Sequence, residues 1–248
     1  FVVYPLVTMV QGATLRVIPA KDYGQDLEAT LAAISSKTRM VFIANPNNPT
    51  GTWLTAGELT GFLDRVPDHV LVVLDEAYCE YVDVADYPDG VTLLARYSNL
   101  IVTRTFSKAY GIAALRVGYC VCSPVIADLL NRVRQPFNVN AMSLVAAVAA
   151  LGDQAHVRAA VCANLEGMIL LTNACADLNL DYIPSAGNFL AIDMGQAAEP
   201  IYQALLHEGV IVRPVGVYEM PRHLRVTIGL PAENQRFIAA LTRIMNAR

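Results

Sequence analysis

Long basic runs are absent from this 248-residue chain, whose formal net charge is −4. That charge balance argues against nucleic acid as a main partner. Charged residues are also scarce, at 16% against 54% hydrophobic, which excludes a disordered chain and describes a globular, core-rich one. The length suffices for one large domain or two modest ones. Apolar runs such as Leu144 to Leu151 fall far short of the ~20 residues of a bilayer span, so no membrane segment is expected. The opening FVVYPLVTMV has no basic segment before it and no small-residue cleavage site after it, and is not read as a signal peptide. It also lacks an initiator methionine, which suggests a sequence beginning part-way through a longer protein.

Pairing and metal signals are missing as well. Cys79, Cys120, Cys122, Cys162 and Cys175 are odd in number and contain no Cys-x-x-Cys. They read as thiols in a reducing, cytoplasmic setting, with Cys120 and Cys122 on one face of a strand. The four histidines are scattered, without the His-Glu-x-x-His spacing, so no metal site is expected. Neither Gly-x-Gly-x-x-Gly nor Gly-x-x-x-x-Gly-Lys-Ser/Thr occurs, which leaves no nucleotide-binding loop.

What is present is an alternation of strand-like and helix-like segments. Thr38–Asn45, His69–Ala77 and Asn99–Phe106 are short, near-continuous apolar runs of the kind covered on both faces. Between them, Thr55 to Glu58 reads as a capping box opening a helix that stops near Pro67. GYCVCS is a further strand, and Ser123-Pro124 supplies an N-cap and a first-turn proline for VIADLLNRVRQ. This rhythm predicts an α/β fold, a mostly parallel sheet with helices on both faces. A long helix over roughly Gln154 to Asp177 follows. Then come NFLAIDM, the helix PIYQALLHEGV, VIVRP, LRVTIG and a closing helix from Pro231 to Met245, the pattern of a smaller α+β domain. The division expected is residues 1–160 and 161–248, with the long helix joining the two.

Three polar segments follow predicted strands, where open α/β sheets bind ligands. NPNNPTG (Asn45 to Gly51) is, taken alone, an ordinary turn. LDEAY (Leu74 to Tyr78) is, taken alone, a strand end with a capping aspartate; Asp75 and Glu76 point apart there, so no paired-carboxylate mechanism is implied. In TFSKAYGIAALRVGY, Lys108 follows an apolar strand and Ser107, with Arg116 beyond a turn through Gly111. A buried, depressed-pKa lysine is a Schiff-base former. Together with an acid for a pyridinium nitrogen, an amide and a phenol for a ring oxygen, and a hydroxyl and guanidinium for a phosphate, it matches the functional groups of pyridoxal phosphate.

The order NPNNPTG, LDEAY, TFSKAYGIAALRVGY and LRVTIG resembles the fold-type I pyridoxal-phosphate aminotransferases, and especially the histidinol-phosphate aminotransferases, over essentially the whole chain. The resemblance implies pyridoxal 5′-phosphate as cofactor, with Lys108 as the Schiff-base lysine and later the general base. Asp75 is implied at the ring nitrogen, Asn48 and Tyr78 at the ring oxygen, Ser107 and Arg116 at the phosphate, and Phe1 over the ring. Arg225, Asn188 and, more weakly, Arg213 are implied at the substrate. The implied reaction passes an amino group from histidinol phosphate to 2-oxoglutarate, a step of histidine biosynthesis, in a homodimer. An aromatic or other amino-acid aminotransferase, a related decarboxylase, or an inactive chain keeping the fold are the alternatives. Two positions depart from the family pattern: Ala114 and Glu219 stand where glycine is frequent, the first expected to tighten a turn and the second to alter a loop near the substrate. The family's N-terminal portion, including a strand and a phosphate-binding loop, is expected to be missing from this sequence.

Overall fold

Branched aliphatic runs build the first of two sheets in the computed structural model, which describes residues 1–247. The chain opens with helix α1 (Val3–Val10) and α2 (Leu27–Ala33), the latter capped by Asp26 accepting from the Ala29 amide at 2.8 Å. Strand β1 (Met40–Ala44) follows, then α3 (Ala56–Leu63), β2 (Leu71–Asp75), the short α4 (Gly90–Leu93) and β3 (Leu100–Thr105). Strand β4 (Gly118–Cys122) leads to α5 (Pro124–Val133), α6 (Ala141–Gly152) and the long α7 (Gln154–Asp177). The sheet order is β1-β2-β3-β4, with the first three strands parallel and β4 antiparallel to β3. The expected mostly parallel sheet is therefore present.

Thr55 and Glu58 form the anticipated capping box at α3, but the helix ends at Leu63, short of Pro67. Ser123 occupies the N-cap position of α5 without a side-chain cap hydrogen bond; Pro124, which has no N–H to satisfy, starts that helix instead. Ile43, Leu59, Phe62, Val72, Leu74, Leu100 and Val102 fill the core beside this sheet, each buried aliphatic or aromatic side chain contributing about 1.5–3 kcal/mol.

The second sheet contains β5 (Tyr182–Ile183) and β6 (Phe189–Asp193); α8 (Glu199–His207), β7 (Arg213–Pro214), β8 (His223–Thr227) and α9 (Pro231–Asn246) complete the chain. Its order is β5-β6-β8-β7, all antiparallel. Leu190, Ile192, Ile201, Leu205, Leu224, Phe237 and Leu241 form its core. Helix α7 is long and apolar enough to cross a membrane by length and composition, with mean hydropathy 1.4. Here it serves as a strut. Val157 packs with Tyr78, Tyr81 and Phe189, while Leu171 and Cys175 belong to the second core.

The two sheets meet through the Asn45–Gly51 turn. The Ala186 amide donates to the Gly51 carbonyl at 2.9 Å, and Asn164 on α7 donates to the Gly187 carbonyl at 3.3 Å. Gly51 has φ +83°, and a Cβ there would lie 2.1 Å from Ser185 Oγ. A left-handed backbone and a blocked Cβ both exclude a side chain. Gly51→Ala is expected to lower unfolding free energy by about 2–4 kcal/mol. A urea titration checks this, and an unchanged midpoint contradicts the close approach.

Of the two departures from the glycine pattern, Ala114 sits in a 3-10 turn, Ala113–Leu115, with no left-handed backbone; that conformation falls on Arg116, φ 53°. Glycine is therefore not required at 114. Glu219, by contrast, does adopt φ 63°, where a glycine relieves strain of about 1–2 kcal/mol.

Candidate active site

Parallel pairing aligns the carboxyl ends of β1, β2 and β3. Ala44 stands beside Asp75, and Asp75 beside Thr103. The segments that follow these strands therefore emerge at one edge. Asn48 comes from the first, Asp75 and Tyr78 from the second, and Ser107 and Lys108 from the third. Strand β8 adds Arg225 from the other sheet.

Asn48 is the hinge of this cluster. Its Nδ2 donates to Tyr78 Oη at 3.2 Å, and its Oδ1 accepts a short hydrogen bond from Arg225 Nη1. Tyr78 is buried, and loss of solvent pushes its phenol up to about 12, with Arg225 opposing and Asp75 adding to the rise. The Lys108 Nζ lies 5.1 Å from the centre of the Tyr78 ring. Among the described residues no carboxylate forms an ion pair with it. Burial lowers its pKa below 10.5; Arg225 and Arg116 add to that, and Asp75 opposes it. A larger fraction of the free amine, the nucleophilic form, follows.

Arg225 packs its guanidinium over Phe189 at 5.1 Å and keeps a buried Nε with no hydrogen-bond partner among the described residues. An orphaned buried donor on a cation fits an anionic ligand. Asp75 accepts from Tyr4 Oη at 2.7 Å through Oδ2. Its Oδ1 has no hydrogen bond among the described residues, which leaves an acceptor for a protonated ring nitrogen.

Asp75 and Glu76 diverge as expected: Glu76 is fully buried on the other side of the strand end, held by Arg104 and the Gly90 amide. Among the described residues the Ser107 hydroxyl, next to Lys108 in the chain, has no hydrogen-bond partner, and Arg116 is exposed with its guanidinium turned back onto the Ala113 carbonyl at 2.7 Å. Asn188, at the start of β6, lies against Tyr81. Arg213 is exposed on β7 directly opposite Arg225. Phe1 lies beside the cluster: it is 41% exposed, stands edge-on to Tyr4 with ring centres 5.6 Å apart, and its terminal amine is near enough to feel the Asp75 charge. Tyr4, bonded to Asp75, and Phe189, packed against Arg225 and Tyr78, are residues of this cluster that sequence reasoning missed. A tyrosine inside an aliphatic run, whose hydroxyl needs a partner, was the available signal for Tyr4.

The sequence profile of the family "Aminotransferase class I and II" matches residues 4–241. The chain belongs to that family. It is 60% identical over 245 residues to histidinol-phosphate aminotransferase 2 of Pseudomonas fluorescens strain Pf0-1, covering 99% of this chain and 66% of that protein. Against histidinol-phosphate aminotransferase 1 of Idiomarina loihiensis the identity is 57% over 244 residues, covering 98% and 66%. The chain thus spans about two thirds of the length of these class I and II relatives. Among solved structures, histidinol-phosphate aminotransferase from Sinorhizobium meliloti in complex with pyridoxal-5′-phosphate superposes with a TM-score of 0.94 at 32% identity, covering 100% of this chain and 68% of that one. The fold-type I architecture expected of such an aminotransferase is the one observed.

Proposed function

We propose that the protein is a pyridoxal-phosphate-dependent aminotransferase that takes its amino group from histidinol phosphate and passes it to 2-oxoglutarate, in histidine biosynthesis. The observation that carries this reading is Lys108: a partly buried amine with lowered pKa, 5.1 Å from the Tyr78 ring, at an edge that also presents Asp75, Asn48 and Arg225. The relatives named histidinol-phosphate aminotransferase support the substrate.

The residues present fit the cofactor: an amine, an aspartate whose Oδ1 has no partner among the described residues, and an amide–phenol pair. Asp75 would hold the ring nitrogen, Asn48 and Tyr78 the ring oxygen, and Ser107 and Arg116 the phosphate. When bound, pyridoxal phosphate supplies an aldehyde for the amino group and a ring that accepts the electron pair of the substrate Cα–H bond. Lys108 Nζ would provide the nucleophile and then take the proton from the substrate Cα, a role that a lowered pKa favours. Asp75 keeps the proton on the ring nitrogen by supplying the opposite charge.

Arg225 and Arg213 would hold the substrate anion. Like charges directly opposite on paired strands repel, and an anion between them reverses that cost. A planar guanidinium binds phosphate or carboxylate bidentately, so one arginine serves both half-reactions. Arg225→Lys is expected to lower kcat/KM for histidinol phosphate and for 2-oxoglutarate by about 10–100-fold each, the loss of one or two charge-assisted hydrogen bonds. Steady-state kinetics on both substrates check this; wild-type values in the variant, or a wild-type preference for phenylalanine over histidinol phosphate, would overturn the assignment.

The same reading includes a homodimer, supported by exposed apolar side chains along α5 and α6, among them Val125, Val133, Met142, Val145 and Val148. A cytoplasmic location is supported by five free cysteines. The domain boundary falls inside α7 near residue 160, a position supported by Val157 and Leu171 packing in different cores.

A further inference from the structure

We propose that Tyr4 is a positioning residue for Asp75, fixing the carboxylate so that its second oxygen is presented to the cofactor ring; this rests on the pyridoxal-phosphate reading above. Tyr4 Oη donates to Asp75 Oδ2 at 2.7 Å. The ring that carries the hydroxyl is itself fixed. It stacks on Phe42 of β1, with centres 4.8 Å apart and planes 13° from parallel, and Phe1 meets it edge-on. Further along α1, Thr8 donates to the Tyr4 carbonyl at 2.8 Å. The first turn of α1 is also tied to the second sheet's side of the molecule, because the Val2 amide donates to Tyr218 Oη at 3.3 Å.

The consequence is chemical. A carboxylate at a strand end rotates about its terminal torsion, which is broad. A hydrogen bond from a ring held on both sides removes that freedom. With Oδ2 committed, Oδ1 is the oxygen left without a protein partner among the described residues. Burial and the Asp75 charge both raise the Tyr4 pKa, so the phenol stays protonated and remains a donor wherever the enzyme works. Asp75 therefore meets a protonated ring nitrogen as a pre-oriented acceptor. Orientation established before binding is not charged to binding.

Tyr4→Phe tests this, since it removes the hydroxyl and keeps the stack on Phe42. The first measurement is calorimetric titration of the cofactor-free protein with pyridoxamine 5′-phosphate, alongside visible circular dichroism of the protein loaded with pyridoxal 5′-phosphate. The expected result is about tenfold weaker pyridoxamine phosphate binding, the order of one hydrogen bond to a charged group. A reduced dichroic band should accompany it, with kcat falling more than KM rises. The thermal midpoint of the cofactor-free protein should stay within about 2–4 °C, since a ~1 kcal/mol change moves a protein of this size no further. A variant with wild-type affinity, dichroism and kcat overturns the proposal, and so does one that only melts earlier, which assigns the hydroxyl to stability. If the wild-type protein binds neither cofactor form, the pyridoxal-phosphate reading fails and this inference with it. Wild-type binding with no difference in Tyr4→Phe sinks the inference alone.

Discussion

Lys108→Ala is expected to lose transamination by at least about 10²–10⁴-fold, the range that lost proton transfer alone supplies. The chain has three lysines, and the other two, Lys21 and Lys37, are exposed and lie outside the strand-end cluster. Borohydride treatment with pyridoxal phosphate should therefore fix cofactor at Lys108 in the wild-type protein and not in the variant. Peptide mapping reads this directly, and attachment at Lys21 or Lys37 as efficient as at Lys108 would sink the assignment. A second consequence concerns stability. The Lys108 pKa is lowered from 10.5 chiefly by burial, so the folded state disfavours its charge. That cost is fully present below the folded-state value and fades as pH rises toward 10.5. Lys108→Met, which keeps the apolar stem, should thus raise the urea midpoint of the cofactor-free protein at pH 7, with the gain shrinking as pH approaches 10. A reactive amine held at a site that destabilises it is the expected exchange of stability for function.

The parts of the site that could be read from sequence were those whose signal is local. Strands β1, β2 and β3 are near-continuous branched aliphatic runs, and turn residues mark where each stops. Parallel pairing then brings those stops together, which is why Asn48, Asp75 and Lys108 were legible as one site despite lying 60 residues apart from first to last. Contacts set by tertiary packing carried no such signal. Helix α1 is an eight-residue helix with no side-chain cap and no buried residue, so its opening run reads simply as apolar. Only the fold places Tyr4 over Phe42 and under Asp75. Phe1 was placed over the ring by resemblance alone, since nothing local marks a terminal aromatic; the fold packs it edge-on against Tyr4. The Arg213–Arg225 juxtaposition needed the β7–β8 register, and a two-residue strand gives almost no periodicity to read. The cap expected at Ser123 failed because the sequence at a helix start specifies a preference, not a bond.

Glu76→Ala carries the largest expected effect on stability outside the cofactor site. Glu76 is fully buried, a position almost never held by an unpaired glutamate. Its Oε2 accepts from Arg104 Nε at 2.9 Å and from Nη2 at 2.7 Å, and its Oε1 accepts from the Gly90 amide at 2.7 Å. Arg104 extends the network to Asp89, also at 2.7 Å. The pair spans β2 and β3, tying the strand ends that present Asp75 and Lys108. Burial pushes the Glu76 carboxyl upward while Arg104 and the Gly90 amide pull it back, so the carboxylate depends on those partners. Removing it leaves a half-buried guanidinium and a buried amide without their acceptor, and the expected loss is about 3–5 kcal/mol. Glu76→Gln keeps the size and one acceptor oxygen and should lose less, about 1–3 kcal/mol. The double variant Glu76→Leu with Arg104→Leu removes both charges and should recover part of the single-variant loss, since a buried pair replaced by apolar groups is often neutral. Urea denaturation of the wild type, Glu76→Leu, Arg104→Leu and the double variant completes the cycle. Strictly additive losses would mean that the two residues do not act as a pair. Because Asp75 is the neighbouring residue on β2, Glu76→Ala should also weaken cofactor binding. Its partial recovery in the double variant would trace that effect to strand-end geometry rather than to charge.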